Sequence, residues 1–111
     1  MANVNYFSGI VKVLENPKQT FLNSKVPVTR IRVELPQRRK NRLVYLIFWG
    51  NLAKDAKNIY KMNDYILVEG YVSIRNKNNT NINTKSLKKL TITVLKVYPF
   101  LLQENRLYSK K

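Results

Sequence analysis

Apolar and polar positions alternate along five stretches of this chain, while one stretch between the third and fourth repeats at helical spacing. Tyr6 to Leu14 (YFSGIVKVL) reads as a strand, and Gly9 inside it predicts a bulge or sharp bend. Asn16-Pro17 ends it. Val26 to Leu35 alternates cleanly: Thr29, Ile31, Val33 and Leu35 share one face, and Arg30, Arg32 and Glu34 share the other. Pro36 closes that strand. Leu43 to Trp49 is the third, with Val44, Leu46 and Phe48 on one side and Leu43, Tyr45, Ile47 and Trp49 on the other. Leu52, Ala53, Ala56, Ile59 and Tyr60 then fall on one stripe, which predicts a helix over 52–61. Asn51 is its expected N-cap, and Met62-Asn63 its expected end. Tyr65 to Arg75 alternates again, with Ile66, Val68, Val72 and Ile74 opposite Tyr65, Leu67, Glu69, Tyr71, Ser73 and Arg75. Asn76 to Lys89 is rich in asparagine and lysine, poor strand formers, and reads as a long loop or loose hairpin. Leu90 to Tyr98 is the last strand, stopped by Pro99.

Strand, strand, strand, helix, strand, strand is the order of an all-β, five-stranded OB-fold Greek-key barrel with one α-helix between strands 3 and 4. Closing the sheet removes its exposed edges. A ferredoxin-like sheet or an open sandwich needs a different arrangement of strands and helices. The chain of 111 residues suits one domain. We place the OB-fold domain at residues 1–99 and a short C-terminal tail at 100–111.

Charge sharpens this picture. Lysine and arginine number 21 against 6 acids, a formal net charge of +15. Such a field draws in polyanions: nucleic acid first, then an anionic membrane surface, then an acidic protein. Apolar runs fall far short of a bilayer span, and the N-terminus lacks a signal-peptide pattern, so a soluble, unprocessed protein with no membrane partner is expected. Cysteine and histidine are both absent. Disulfides, thiolate chemistry and the commonest neutral-pH general base go with them. The six acids are scattered, the three glycines are isolated, and no serine has a histidine to activate it. The expectation is a protein that is not an enzyme and that needs no cofactor and no metal. The abundance of asparagine, lysine, isoleucine and tyrosine is the bias of an AT-rich genome such as an organelle's.

Val44-Tyr45-Leu46-Ile47-Phe48-Trp49-Gly50-Asn51-Leu52-Ala53, followed by Asp64 to Arg75 (DYILVEGYVSIR), resembles the core of the bacterial single-stranded DNA-binding protein (SSB) family. That core runs apolar strand, aromatic-Gly-x-Leu-Ala, helix, Gly-Asp, then an apolar strand with Glu-Gly and an arginine. Asn5 to Leu14, Asn16-Pro17 and Pro27-Val28 extend the likeness over residues 4–98. The short form is similar to the SSB-like proteins of cyanobacteria and red-algal plastids. The resemblance implies binding of single-stranded DNA with little sequence specificity, in support of DNA replication and repair. It also implies a homodimer or homotetramer, and a home in the plastid stroma or nucleoid, otherwise in the cytoplasm. The departures are specific. Family tryptophans fall on Leu43 and near Lys77, and the glycine of the Lys-Gly-Asp turn is Asn63. In place of an acidic C-terminal tip the chain shows Tyr108-Ser109-Lys110-Lys111, so partner recruitment through such a tip is not expected. A primosomal replication protein of the same fold, also without the tip, is a competing resemblance.

Sequence-tolerant binding of a single strand needs cations for phosphates and π-faces for bases. Trp49 shares a strand face with Tyr45, which the resemblance places on the groove; packing of Trp49 beneath the helix is the alternative. Tyr71 offers a second platform or else an ordinary cross-strand aromatic pair. Arg30 and Arg32 offer phosphate contacts or a merely solvated face, with Lys12 flanking them. Arg38, Arg39, Lys40 and Arg42 in one connection, and Arg75, Lys77, Lys85, Lys88 and Lys89 in the other, make nine positive charges with no acid among them. Tyr6, Tyr98 and Phe21 read as core or rim. Two other functions fit the same residues: an OB-fold structural or adaptor subunit docking on a larger complex, and RNA binding by the same groove.

Overall fold

One strand closes this sheet on itself. In the computed structural model, which describes residues 5–36, 40–77 and 87–103 (the side chains of 75–77 and 87–89 excepted), β1 (Tyr6–Val13) pairs antiparallel with two partners. Tyr6 to Lys12 run against β5 (Tyr65–Lys77), and Lys12 and Val13 reach across to Glu34 and Val33 of β3 (Val26–Leu35). The circuit continues from β5 to β6 (Leu87–Leu101), then to β4 (Arg42–Trp49) and back to β3. This is the five-stranded OB barrel, with α1 (Asn51–Ile59) between the third and fourth barrel strands. A sixth strand, β2 (Lys18–Leu22), lies outside the circuit and hairpins onto the free edge of β3.

Alternation fixes the interior. Val44, Leu46 and Phe48 of β4, Ile31 and Val33 of β3, Val11 and Val13 of β1, Ile66 and Val68 of β5, and Ile92 and Val94 of β6 fill the barrel. A one-residue slip would expose each set, so burial specifies the register. Helix α1 plugs the open end with Ala53 and Ala56, small enough to let its backbone approach, and Tyr60 follows them inward. Burial pushes the Tyr60 hydroxyl above its ordinary pKa of 10.0, and the nearby Asp64 and Asp55 add to the shift.

The two buried polar side chains among the described residues, Thr29 and Asp64, both find hydrogen-bond partners. Thr29 Oγ1 donates to the Ala53 carbonyl at 2.7 Å, and Gln19 Nε2 donates to Thr29 Oγ1 at 3.0 Å, which ties β2, β3 and α1 together. Asp64 accepts from the backbone amides of Lys61 and Gln103, at 2.8 and 3.0 Å, and so fastens the helix exit to the end of β6.

Several local expectations are corrected. Gly9 makes no bulge, since β1 keeps an unbroken register with β5, and the Phe7 ring takes the space a Cβ at Gly9 would need. Gly50, not Asn51, caps the helix, at φ 65° and ψ −135° with no side-chain bond, because the chain turns one residue earlier. The helix ends at Ile59, with Tyr60 extended; Asn63 takes its left-handed φ of 76° in the turn that follows. The stretch 76–89 is partly a hairpin, with pairing that extends to Lys77 and Leu87. Pro99 does not stop β6, which runs on to Leu101: a register shift between Tyr65 and Ile66 falls where the proline has no N–H to give. A second shift, between Glu69 and Gly70, brings the strands so close that a Cβ at Gly70 would overlap the Thr93 carbonyl.

Candidate nucleic-acid interface

Trp49 is placed by the turn that follows it. Gly50 donates its N–H to the Pro27 carbonyl at 2.9 Å, and its positive φ swings the chain into α1 beneath the barrel. The indole one residue earlier therefore stays on the outer face of β4, 45% exposed, and does not pack beneath the helix. Register sets its neighbours. Trp49 lies opposite Val28, Ile47 opposite Arg30, and Tyr45 opposite Arg32. Across the parallel seam Tyr45 meets Thr91 of β6.

These rows line a hollow of about 320 Å³ bounded by Val28, Arg30, Tyr45, Ile47, Trp49 and Thr91, with the β2 hairpin (Thr20, Phe21, Leu22) as its wall. A second hollow of about 260 Å³ continues it past Arg30 and Tyr45 to Lys18, Arg32 and Glu15. Together they form one track, aromatic at the Trp49 end and cationic at the other. Arg32 is engaged there: its Nε lies 2.7 Å from Glu15 Oε2.

The remaining expected residues fall elsewhere. Tyr71 sits in the same cross-barrel row as Ile47 and Arg30, by way of Thr93, but lines neither hollow. Its ring makes an edge-on pair with Tyr6, 5.9 Å between centroids at 71°, the cross-strand arrangement. The Tyr6 hydroxyl donates to Glu69 Oε1 at 2.7 Å, and that bond holds its pKa above the ordinary value. Lys12 is outside the track, its Nζ 5.9 Å from the centre of the Tyr65 ring and its cross-strand partner Glu34. Lys40 and Arg42 are exposed at the far end of β4 from Trp49. Arg38 and Arg39 lie outside the described residues, as do the side chains of Arg75 and Lys77, whose backbones belong to β5.

Sequence reasoning missed Lys18, the β2 wall and Thr91. For Lys18 and the wall the signal was the hairpin, Asn23-Ser24 between two β-prone runs, both with positive φ (54° and 60°), closed by the Lys25 N–H donating to the Leu22 carbonyl at 3.0 Å. Thr91 arrives through the parallel β4–β6 seam, which no local pattern announces. Chemically, the track offers flat aromatic surface beside guanidinium and ammonium groups. Planar rings and a polyanionic backbone are what such a surface takes up.

No family model matches the chain. The fold is that of the SSB domain. The chain superposes on a small single-stranded DNA-binding protein from Streptomyces coelicolor with a TM-score of 0.75 at 17% identity, covering 90% of this chain and 95% of that one. On the SSB domain of a Synechococcus sp. protein the score is 0.68 at 21% identity, covering 88% and 98%. In sequence the chain is 40% identical over 108 residues to "Putative single-stranded DNA-binding protein ycf41" of Trieres chinensis, spanning 94% of this chain and 96% of that protein. The chain belongs to the bacterial-type SSB family, in its short, ycf41-like form.

Proposed function

We propose that this protein coats single-stranded DNA with little sequence specificity, supporting DNA replication and repair, and that it works by binding and not by catalysis. The observation that carries the reading is the indole of Trp49, held out on the barrel's outer face at the end of a track whose other members include Arg30, Tyr45 and Lys18. Bases stack on Trp49 while the cations meet phosphates. Arg38, Arg39, Lys40, Arg42, Arg75 and Lys77 extend the cationic surface around it, with Tyr71 and Lys12 at its margins. The ycf41 relative and the SSB-domain neighbours support the choice of single-stranded DNA. AT-type composition and the kinship with ycf41 support a plastid location. Self-association as a dimer or tetramer belongs to the same reading, supported by exposed Tyr6, Leu95, Tyr98 and Phe100 on β1 and β6.

Titration with oligo(dT) tests it directly. Trp49 fluorescence is expected to quench to saturation, and Trp49→Ala to weaken binding by about 1–3 kcal/mol. An unchanged emission spectrum at saturating DNA would falsify the stacking role. Matched RNA oligomers in competition report the sugar preference. Absence of any oligonucleotide binding at low salt would move the assignment to an adaptor subunit.

A further inference from the structure

Among the described residues the track contains one carboxylate, and it is not idle. Glu15 lies in the short connection after β1, and its side chain pairs with Arg32 at 2.7 Å, covering a guanidinium Nε that is enclosed without an aligned hydrogen bond, while the arginine and glutamate side chains as wholes are 40% and 36% exposed. The connection is pinned on both sides of Glu15. Leu14 donates its N–H to the Arg32 carbonyl at 2.9 Å, Asn16 Oδ1 accepts from the Met62 amide at 3.0 Å, and Pro17 is buried. The carboxylate is therefore presented to the guanidinium by a fixed backbone. Around it stand Lys18, Arg30 and Tyr45, the residues that the proposed function assigns to the strand.

We infer that Glu15 is a resident competitor for a phosphate: it fills the seat on Arg32 that the backbone of a bound strand would otherwise take, and so sets how tightly and how salt-dependently the groove binds. The inference rests on the proposed single-strand binding. A carboxylate and a phosphate oxygen present the same acceptor geometry to a guanidinium. A half-exposed ion pair is held weakly enough for a polyanion to displace it. Displacement releases the strand's counterions but leaves Glu15 to gather a cation of its own, so the Arg32 contact yields no net counterion release. Set beside Lys18, Arg30 and Arg32, this acid thus lowers affinity for any polyanion and leaves proportionally more of the binding to stacking on Trp49.

The test is a salt-resolved titration of the full chain with oligo(dT), comparing wild type, Glu15→Gln, Arg32→Ala and the double variant. Glu15→Gln keeps the size and polarity of the side chain. It is expected to bind about two- to fivefold tighter at 50 mM salt. Its salt slope should be steeper by about 0.7, the value for one added phosphate contact on a single strand, so its advantage shrinks about 2.5-fold between 50 and 200 mM salt. In the Arg32→Ala background the gain, in log units, should fall by at least half. Wild type that binds, with Glu15→Gln unchanged in affinity and slope, overturns the inference alone. A gain undiminished without Arg32 overturns it too, because Glu15 would then act through its charge at a distance. Wild type that does not bind at 50 mM salt overturns this inference together with the proposed function.

Discussion

A tyrosine whose hydroxyl is buried carries a cost that appears only in alkali. Tyr60 is buried below α1, and its pKa is raised by that burial and then by Asp64 and Asp55. A raised folded-state value means that folding favours the neutral phenol. Its contribution is complete below the unfolded value of about 10 and is lost as pH climbs through the higher folded value. Tyr60→Phe keeps the ring and removes the proton. We expect its urea midpoint to fall less between pH 8 and pH 11 than that of wild type; parallel losses in the two proteins would remove Tyr60 from the account. Residues differ in how openly the sequence shows such roles. Alternation along one strand groups Trp49 with Tyr45 and Ile47, but both faces of that strand are apolar, so only the family resemblance pointed its face outward. The burial of Asp64 follows from no such pattern, because the amides that donate to its carboxylate come from Lys61 and from Gln103, on either side of β5 and β6 in the chain.

Elements were readable where the pattern was internal to them. The barrel strands and the helix follow from period two and period 3.6 acting against one core. What hid were elements made by a neighbour. Lys18 to Leu22 is too short to announce a strand by alternation alone, and is betrayed only by the turn that folds it onto the free edge of β3. The lysine-bearing ends of β5 and β6 pair because each gives the other a partner, overriding weak propensity. The strand-to-helix junction is a third such case. Gly50 takes a backbone conformation reserved for glycine, although the space around a Cβ there is open. Gly50→Ala should therefore cost about 1–3 kcal/mol through backbone strain alone. Urea unfolding would show this, and a midpoint equal to wild type would mean that the turn can relax.

At the scale of the whole molecule, the charge of +15 was legible at once, but its layout was not. Composition says that polyanions are attracted; only the closed barrel shows that Lys18, Arg30 and Arg32 converge beside an aromatic end. That convergence has a measurable signature. If four to six phosphates are neutralised, the logarithm of affinity for oligo(dT) should fall against the logarithm of salt with a slope of about −3 to −4. A slope near zero would make the cationic surface incidental to binding.

The strand that shuts the barrel also decides when it can be shut. Tyr6 must wait for Tyr71, and β6 must arrive before β5 and β4 can be joined through it. Contacts this remote along the chain are slow to form. On the ribosome, then, the leading segment emerges well before β5, and until β5 follows only Lys12 and Val13 have a strand, β3, to pair with. In that interval a chain this cationic has its unpaired segments drawn to the polyanion nearest at hand, the ribosome's own RNA.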